Sequence, residues 1–334
     1  MTRWRPGTVL LAGPVSDDSF AENLASTMMA QGISLISDLK LSQHRYSSRW
    51  RAALQGLNQR LRRNYIRPHE RWLVKTAKAC HPDVFLAPTQ VMSEETLWEL
   101  KKAGVRARVA WWGDPPAHMQ RIGLLSDQWD VIFFKDPDAV RKFRRVGLNA
   151  HLLHEAMNPS WHRLLAQQEN DSVVVAGNFY EYRQLLVRRL LAKGVNVRLY
   201  GGRLPRWVHP DIRKLHTGRY IVREEKSRIF GAGLACLNST QIAEGNSLNC
   251  RAFEIAGAGG LHLMEYRPII PECFEPGKEV LTFDTLDELL DHIGRARRCP
   301  EETKTIRQAG ARQALAEHTY RHRLEQIFKM VGEL

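Results

Sequence analysis

The sequence predicts an α/β protein built from two successive doubly wound domains, because short apolar runs alternate with helix-length stretches from end to end. The alternation is interrupted once, by a polar stretch without periodicity at residues 167–171, and then starts again. A chain of 334 residues is long enough for two domains. Strands that alternate with helices form parallel sheets covered on both faces, so we expect one such sheet in each half.

The predicted elements follow one another regularly. The strands are Thr8–Gly13, Ile33–Leu39, Asp83–Pro88, Val105–Gly113, Asp130–Lys135, Ala150–His154, Ser172–Gly177, Val195–Tyr200, Leu234–Asn238, Gly260–Glu265 and Glu279–Phe283. Helices predicted between them include Ser19–Gln31, Ser93–Lys102, Asp138–Val146, Tyr182–Lys193, Glu224–Phe230, Arg251–Ala258 and Leu286–Ala296. The last segment, Ala311–Met330, is predicted as one long helix.

The restart of the pattern divides the chain into domains. We place the first domain at residues 1–157, a linker at 158–171 and the second domain at 172–311. Doubly wound sheets bind their ligands at the carboxyl ends of the strands. We therefore expect the two domains to face each other across a cleft that holds the site.

The chain is strongly basic, with a formal net charge of +13 and a pI of about 9.7. Ten Lys or Arg residues and one acidic residue, Glu70, lie between Lys40 and Lys75. This basic run is interpreted either as a docking surface for an acidic acceptor or a membrane face, or as the exposed side of an amphipathic helix. The charge also keeps a nucleic-acid-binding protein among the alternatives, although no nucleic-acid motif is recognised.

The remaining composition excludes several classes of protein. The cysteines number five and form no C-x-x-C pair, which argues against a disulfide framework and a structural zinc site, so we expect reduced and mostly buried thiols. We find neither a signal peptide nor an apolar run near the ~18 residues of a membrane span. The predicted location is the cytoplasm, with the basic run available for peripheral contact with the anionic inner face of a membrane.

The segment from residue 244 to residue 260 carries the most chemical information. Glycine and small polar residues after Glu244 lead through Asn249 into a helix predicted to begin near Arg251. A helix N-terminus favours a diphosphate, and an arginine there adds a bidentate cation. Glu254 lies one turn further on, where its carboxylate is placed to accept hydrogen bonds from a ribose. An ordinary helix with a small-residue packing face fits the same pattern.

This segment resembles the nucleotide-sugar loop of group 1 glycosyltransferases. It is more similar to the CgeB-like, or spore-maturation, branch, whose run R-x-F-E-x-x-x-x-G-G matches Arg251 to Gly260. One feature departs from the family pattern, since the usual pair of acidic residues is separated by seven residues, whereas Glu244 and Glu254 are separated by nine. Glu254 therefore matches the motif better than Glu244 does.

Other segments strengthen the resemblance, which is good over residues 172–328 and looser over the first 155. The matching segments are Val174–Asn178 followed by Arg183, Tyr200–Gly202, Leu234–Asn238, Phe274–Phe283 and His318–Arg323. The resemblance implies the GT-B fold, which is two Rossmann-like doubly wound domains facing a cleft. In that fold a C-terminal helix, here residues 312–334, crosses back onto the first domain.

The resemblance also implies donor-site residues in the second half, which include Glu244, Asn249, Arg251 and Glu254. Arg183 would neutralise a donor phosphate, and Gly177 and Asn178 would line the same pocket. An exposed helix start is the alternative interpretation of Arg183. Gly201 and Gly202 are placed either near the nucleobase or in a simple turn.

Two candidate sites lie in the first half. Gly13 ends the first predicted strand, where the GT-B fold places a loop near the reacting sugar, although an ordinary turn fits equally. Residues 111–116 resemble the D-D-P stretch of the CgeB-like branch, with Gly113 in place of the first Asp. Asp114 is the candidate for acceptor contact or general base, with a turn residue as the alternative, and His118 is a weaker candidate.

The resemblance implies a glycosyltransferase that moves a sugar from a nucleotide sugar to an unknown acceptor. We expect metal-independent transfer without a cofactor and with retention of anomeric configuration, with Arg251 and Asp114 as the catalytic candidates. The acceptor is expected to be a glycan, lipid-linked or another anionic polymer. The alternatives are a nucleic-acid-binding protein and a GT-B-fold sugar-nucleotide epimerase or binding protein.

Overall fold

The computed structural model describes residues 4–13, 16–37, 57, 61, 66–115, 125–166 and 168–334. Most of the basic run between Lys40 and Lys75, and His118, lie outside the described residues. The chain divides into two compact units, the first comprising Met1–His154 with Tyr320–Leu334 and the second Glu155–Thr319. The boundary predicted from the sequence between the first and second units, residues 158–171, lies later than the observed one. The predicted return to the first unit, at residue 312, lies earlier than the observed one.

The first unit contains a six-stranded parallel sheet in the order β2-β1-β3-β4-β5-β6. Its strands are β1 (Thr8–Leu11), β2 (Ser34–Ser37), β3 (Val84–Pro88), β4 (Ala107–Trp112), β5 (Val131–Phe134) and β6 (Ala150–Leu152). Its helices are α1 (Phe20–Ala30), α2 (Pro68–Cys80), α3 (Glu94–Lys102), α4 (Pro137–Arg144) and α11 (Tyr320–Gly332). The central strands β3, β4 and β5 are buried along their whole length, which explains why they read as continuous apolar runs.

Glu70, the acidic residue within the basic run, connects two helices of the first unit. The carboxylate of Glu70 is fully buried and accepts hydrogen bonds from the backbone N–H of Arg67 at 2.9 Å and of Ser93 at 2.8 Å. Burial by itself raises the pKa of this carboxyl, but the hydrogen bond and charge of Arg67 leave it below its usual value. Glu70 thus joins the first turn of α2 to the residue that caps α3.

The second unit contains a five-stranded parallel sheet in the order β11-β10-β9-β7-β8. Its strands are β7 (Val173–Ala176), β8 (Val197–Tyr200), β9 (Ala235–Asn238), β10 (His262–Glu265) and β11 (Leu281–Phe283). Its helices are α5 (Glu181–Ala192), α6 (Pro210–Arg213), α7 (Glu224–Ala232), α8 (Cys250–Gly257), α9 (Leu286–Arg298) and α10 (Pro300–Glu317). Apolar side chains from β7, β9, β10 and the helices α5 and α9 form its main core.

Each of the predicted strands is present, with ends that differ by at most two residues from the prediction. The prediction of one long helix over Ala311–Met330 is wrong, because α10 ends at Glu317 and α11 begins at Tyr320. The backbone between them makes other bonds: Thr319 forms a β-bridge with Met157, whose N–H donates to the carbonyl of His318 at 3.0 Å. Helical hydrogen bonding is therefore interrupted at residues 318–319.

Both sheets have a point at which the direction of the chain connections reverses. In the first sheet β2 lies on one side of β1 and β3 on the other, and in the second β8 and β9 flank β7 in the same way. In open α/β sheets the crevice outside the carboxyl ends of such strands is where ligands bind. A ligand site is therefore expected at the residues just after β1, β3, β7 and β9.

Two expectations from composition concern the thiols and the membrane. All five cysteines are free, as predicted, but Cys80 and Cys299 are exposed and only Cys236 and Cys273 are buried, so the expectation of mostly buried thiols is wrong. Within the described ranges, every helix lacks the combination of length and hydropathy that a membrane span requires.

Candidate functional site

The ends of β7 and β8 meet at two glycines. Gly177 follows β7 with a φ of 112°, and its N–H donates to the carbonyl of Tyr200 at 2.9 Å. A Cβ on Gly201 would lie 2.4 Å from the carbonyl oxygen of Gly177, a distance that no real Cβ contact tolerates. Nothing lies within 4 Å of the corresponding position on Gly202, which is exposed. Gly201 is therefore required by the close approach of two chain segments.

Arg183 joins the two loops at the reversal point of the second sheet. Its Nε donates to Ser239 Oγ at 3.0 Å, and its Nη2 donates to Tyr180 Oη at 2.8 Å and to the Ser239 carbonyl. A further bond runs from Nη1 to the carbonyl of Asn178. The side chain is buried, so the interpretation of Arg183 as an exposed residue at a helix start is wrong. Its guanidinium holds the loop after β7 against the loop after β9.

The start of α8 carries its own cap. Asn249 Oδ1 accepts a hydrogen bond from the N–H of Ala252 at 3.2 Å, and the amides of Asn249 and Asn238 bond reciprocally at 3.1 and 3.3 Å. In this structure Asn249, predicted to line the donor site, therefore holds the helix start. Because one first-turn amide already has a side-chain acceptor, an anion at this helix start would be bound by Arg251 more than by the backbone amides.

Arg251 lies against the glycine that follows β7. Its Nη2 is 3.2 Å from the position that a Cβ on Gly177 would occupy, and its guanidinium carbon lies 5.9 Å from the centre of the Phe230 ring. The Arg251 side chain is 19% exposed. The charges of Arg251 and Arg183 also interact, since Arg251, after burial, contributes to the lowered pKa of Arg183. The structure thus brings Gly177, Arg183 and Arg251 together at the carboxyl end of β7.

Glu254 accepts a hydrogen bond from a cation at each carboxylate oxygen. Lys226 Nζ donates to Oε1 at 2.7 Å and Arg251 Nη1 donates to Oε2 at 3.1 Å. His162 Nε2 lies 4.0 Å from Oε1. Burial raises the pKa of the Glu254 carboxyl, but the charges of Lys226, Arg251 and His162 outweigh burial and lower it to about 2. Glu254 is therefore ionised at neutral pH, and its observed partners are cations, whereas the resemblance implies a ribose.

The loop that leads into α8 is held by side chains on both sides. Glu244 is buried at the end of a short 3₁₀ helix, and Ser247 Oγ donates to its carbonyl at 2.7 Å and lies 3.3 Å from its carboxylate. Arg267 Nη1 donates to the Ser247 carbonyl at 2.7 Å, and Asn246 Oδ1 accepts from the N–H of Ile269 at 3.0 Å. Glu244 is thus part of an ordered loop whose shape depends on the residues after β10.

Sequence reasoning missed the partners of these candidates. Lys226 lies on the buried side of α7, and Ser239 follows β9. Neither belongs to a motif, and their distances along the chain from Glu254 and Arg183 are 28 and 56 residues. One feature of the sequence could have identified Lys226. It occupies a buried position of an amphipathic helix, and lysine is rarely buried without a partner.

The candidates of the first half lie at the carboxyl ends of strands in the first unit. Gly13 follows β1 with a φ of 123°, and a Cβ there would lie 3.4 Å from Gln90 Cγ, just beyond β3. Asp114 is exposed two residues beyond β4, next to Gly113, whose N–H donates to Thr89 Oγ1 at 3.1 Å. Both candidates therefore lie at the carboxyl edge of their own sheet, where doubly wound sheets generally bind their ligands.

The chain has one Asp-x-Asp triplet, Asp136-Pro137-Asp138, whose carboxylates are potential ligands of a divalent ion. Asp136 caps α4 by accepting the N–H of Asp138 at 2.8 Å. Asp138 pairs with Arg141 at 2.8 Å on the exposed side of the same helix. Both carboxylates of the triplet thus make contacts within the first turns of α4.

Comparisons with known proteins agree with this architecture. Residues 183–329 match the family described as glycosyl transferase-like. Among curated proteins, none matches the sequence. HepE of Anabaena, solved with UDP and glucose, superposes with a TM-score of 0.67 at 13% identity, covering 98% of this chain and 100% of HepE.

Two further structures show the same likeness. Sucrose-phosphate synthase from Thermosynechococcus elongatus gives a TM-score of 0.66 at 13% identity, over 98% of this chain and 99% of the synthase. A glycosyltransferase from Rickettsia africae gives 0.61 at 8% identity, over 99% of each chain. At such identities the likeness establishes the fold. The chain thus has the GT-B glycosyltransferase fold, with a glycosyl transferase-like segment over residues 183–329.

Proposed function

We propose that the protein is a glycosyltransferase that takes its sugar from a nucleoside diphosphate sugar. One observation carries the proposal: the guanidinium of Arg251 is held against Gly177 at the carboxyl end of β7. Doubly wound sheets bind phosphate-bearing ligands at this place, and arginine is well suited to bidentate contact with a diphosphate. Arg183, Arg251 and Glu254 all fall within the segment that matches the glycosyl transferase-like family.

The proposed chemistry is stabilisation of a leaving diphosphate. Transfer of a glycosyl group leaves negative charge on the diphosphate while positive charge develops at the anomeric carbon. A cation preset beside the leaving group stabilises this charge without reorganisation at the moment of reaction. Arg251 supplies that cation, with the backbone of Gly177 and Asn178 lining the phosphate site and the first turn of α8 adding its dipole.

A uridine nucleotide is the first donor to test. The structures of HepE contain UDP, glucose and UDP-glucose. For this chain we accordingly propose a hexosyl transfer from a UDP-sugar. Gly13 would lie near the reacting sugar and Asp114 would contact the acceptor or act as general base, since both follow strands of the first sheet.

The finer features of the reaction rest on the motif and the charge. The run from Arg251 to Gly260 supports the CgeB-like branch, and with it transfer without a metal or cofactor and with retention of configuration. The net charge of +13 supports an anionic acceptor, such as a lipid-linked glycan or another polymer, and a cytoplasmic enzyme in peripheral contact with an anionic membrane face. Activity in excess EDTA would test transfer without a metal. NMR of the product anomer would test retention of configuration.

The Arg251→Ala variant tests the central assignment. Loss of one preset charge donor costs about 2–4 kcal/mol of transition-state stabilisation, so we expect kcat/KM for a UDP-sugar to fall roughly 30- to 1,000-fold. The matched control is Arg298→Ala, which removes an exposed arginine of the same unit. Turnover by Arg251→Ala at the control rate would contradict the assignment. A wild-type protein that binds no nucleoside diphosphate would contradict the function itself.

The glycosyl transferase-like match favours this function over the nucleic-acid-binding alternative. That alternative depends on net charge, and most of the basic run that supported it lies outside the described residues. Binding to unspecific DNA that persists at 200 mM salt would revive it, because purely electrostatic binding weakens steeply with salt.

A further inference from the structure

The carboxylate of Glu254 connects two cationic side chains from different helices. Lys226, on α7, bonds to Oε1, while Arg251, one turn before Glu254 on α8, bonds to Oε2. Lys226 and Glu254 are 6% and 3% exposed, and the Arg251 side chain is 19% exposed. The connection thus runs from a buried lysine to an arginine that reaches the surface beside Gly177.

Holding both oxygens restricts the orientation of the carboxylate. A carboxylate bonded at one oxygen still rotates about its last torsion, whereas donors at both oxygens leave one arrangement. The orientation of the carboxylate then sets the position of Arg251 Nη1, and so the direction of the whole planar guanidinium. A guanidinium ordered before the ligand arrives does not have to be ordered on binding, which strengthens binding.

We propose that Lys226 is a positioning residue of the donor site. It fixes Glu254, and Glu254 in turn holds the guanidinium of Arg251 against Gly177, ready for the donor diphosphate. Lys226 itself does not touch the ligand. This inference rests on the proposed function, and it assigns to Glu254 a task different from contact with a ribose.

The physical consequence of losing Lys226 is specific. Without this donor, Oε1 of a buried carboxylate has lost its 2.7 Å partner, and His162 Nε2 lies 4.0 Å away, beyond hydrogen-bonding distance. Glu254 then turns towards Arg251, the cation that still donates a hydrogen bond to it. The guanidinium is then drawn onto the carboxylate and away from Gly177. The binding of a diphosphate weakens, although Arg251 is still present.

A double-mutant cycle tests the proposal by isothermal titration with UDP and by thermal unfolding. The variants are Lys226→Met, Glu254→Gln and the pair together, with Lys214→Met, which removes an exposed lysine paired with Asp211, as control. We expect each single variant to bind UDP about tenfold more weakly, the double variant to be no more than twofold weaker than Glu254→Gln, and the control to bind normally. The double variant, which leaves neither buried charge behind, is expected to unfold at a higher temperature than either single variant.

Three outcomes would overturn the proposal while leaving the donor function standing. A double variant about 100-fold weaker than wild type would mean that Lys226 contacts the ligand independently of Glu254. A double variant that recovers both its unfolding midpoint and its UDP affinity would mean that the pair only stabilises the fold. Lys226→Met with wild-type affinity would mean that Lys226 has no role in binding.

Two further measurements keep the test decisive. If Lys226→Met does not fold, Lys226→Arg should keep at least half of the affinity because it retains a cation near Glu254, and Lys226→Gln should lose about fivefold; equal affinities in these two variants would overturn the proposal. If wild-type protein binds none of UDP, GDP, ADP and inorganic pyrophosphate, the proposed function fails, and the inference fails with it.

Discussion

Several site residues have hydrogen-bond partners that their positions in the sequence do not reveal, namely Glu254, Asn249 and Arg183. Glu254 accepts from Lys226 as well as from Arg251, Asn249 pairs with Asn238, and Arg183 bonds to Ser239. Of these four contacts, only the one between Arg251 and Glu254 is local, at a spacing of three residues on one helix. A motif therefore identifies the polar residues near the loop, but it does not say which of them bind a ligand and which hold the loop in place.

His262 provides a residue-scale prediction about pH. It is fully buried in β10, neither ring nitrogen has a hydrogen-bond partner among the described residues, and burial lowers its pKa to about 3 from an ordinary value of 6.5. Between about pH 6.5 and pH 3, His262 is protonated in the unfolded state but neutral in the folded state. The free energy of unfolding therefore decreases as the pH falls from about 6.5 towards 3. Replacing His262 by Leu should remove this loss and also the cost of burying an unpaired polar ring.

Urea unfolding at pH 7.5 and pH 5 measures the effect. We expect His262→Leu to be about 1 kcal/mol more stable than wild type at pH 7.5, and the difference to grow by about 2 kcal/mol at pH 5. The same difference at both pH values would show that His262 takes up a proton in the folded state.

At the scale of elements, the proposed donor site depends on the close approach of the loops that follow neighbouring strands. The loops after β7 and β8 touch at Gly177 and Gly201, the loops after β7 and β9 are joined by Arg183, and α8 brings Arg251 to the same place. Each strand is predictable by itself from its apolar pattern, and so are most of the helices, with the break between α10 and α11 as an exception. The site arises because parallel strands place their carboxyl ends on one edge, so that residues far apart in the chain become neighbours.

Gly201 and Gly202 offer a matched pair for testing this close approach. A methyl group on Gly201 would meet the Gly177 carbonyl at 2.4 Å, whereas one on Gly202 would meet nothing within 4 Å. We expect Gly201→Ala to lower the free energy of unfolding by about 1–3 kcal/mol, and Gly202→Ala to change it by no more than about 0.5 kcal/mol. Denaturant unfolding of both variants is the measurement, and equal stabilities would show that the two strand ends separate easily.

At the scale of the whole molecule, two units share one chain, and the strand order of the second repeats that of the first without a sixth strand. In each unit the strand order reverses at the first strand, and a glycine with positive φ follows that strand, Gly13 in the first unit and Gly177 in the second. The phosphate-site candidates Gly177, Arg183 and Arg251 all belong to the second unit. The glycosyl transferase-like match likewise covers mostly the second unit and ends in α11.

Binding of UDP should therefore be visible in particular segments of the full-length chain. At 100 times its Kd, a ligand that binds only the folded state adds about 3 kcal/mol of apparent stability. We expect hydrogen exchange of the backbone amides to slow at residues 177–183 and 250–257 when UDP is added to wild type, and much less in Arg251→Ala. A rise in the unfolding midpoint without slower exchange in either segment would place the nucleotide elsewhere.

The sequence by itself determined the fold class, the strands and the segment that carries the candidate site. It could do so because apolar periodicity reports which residues face a core, and because Arg251, Glu254 and the glycines lie within one short stretch. Only the tertiary structure decided the contacts of Lys226, Ser239 and Asn238, and the helix break at residues 318–319. These depend on contacts between residues distant in the chain, such as the bridge from Met157 to Thr319, and such contacts leave no periodic trace in the sequence.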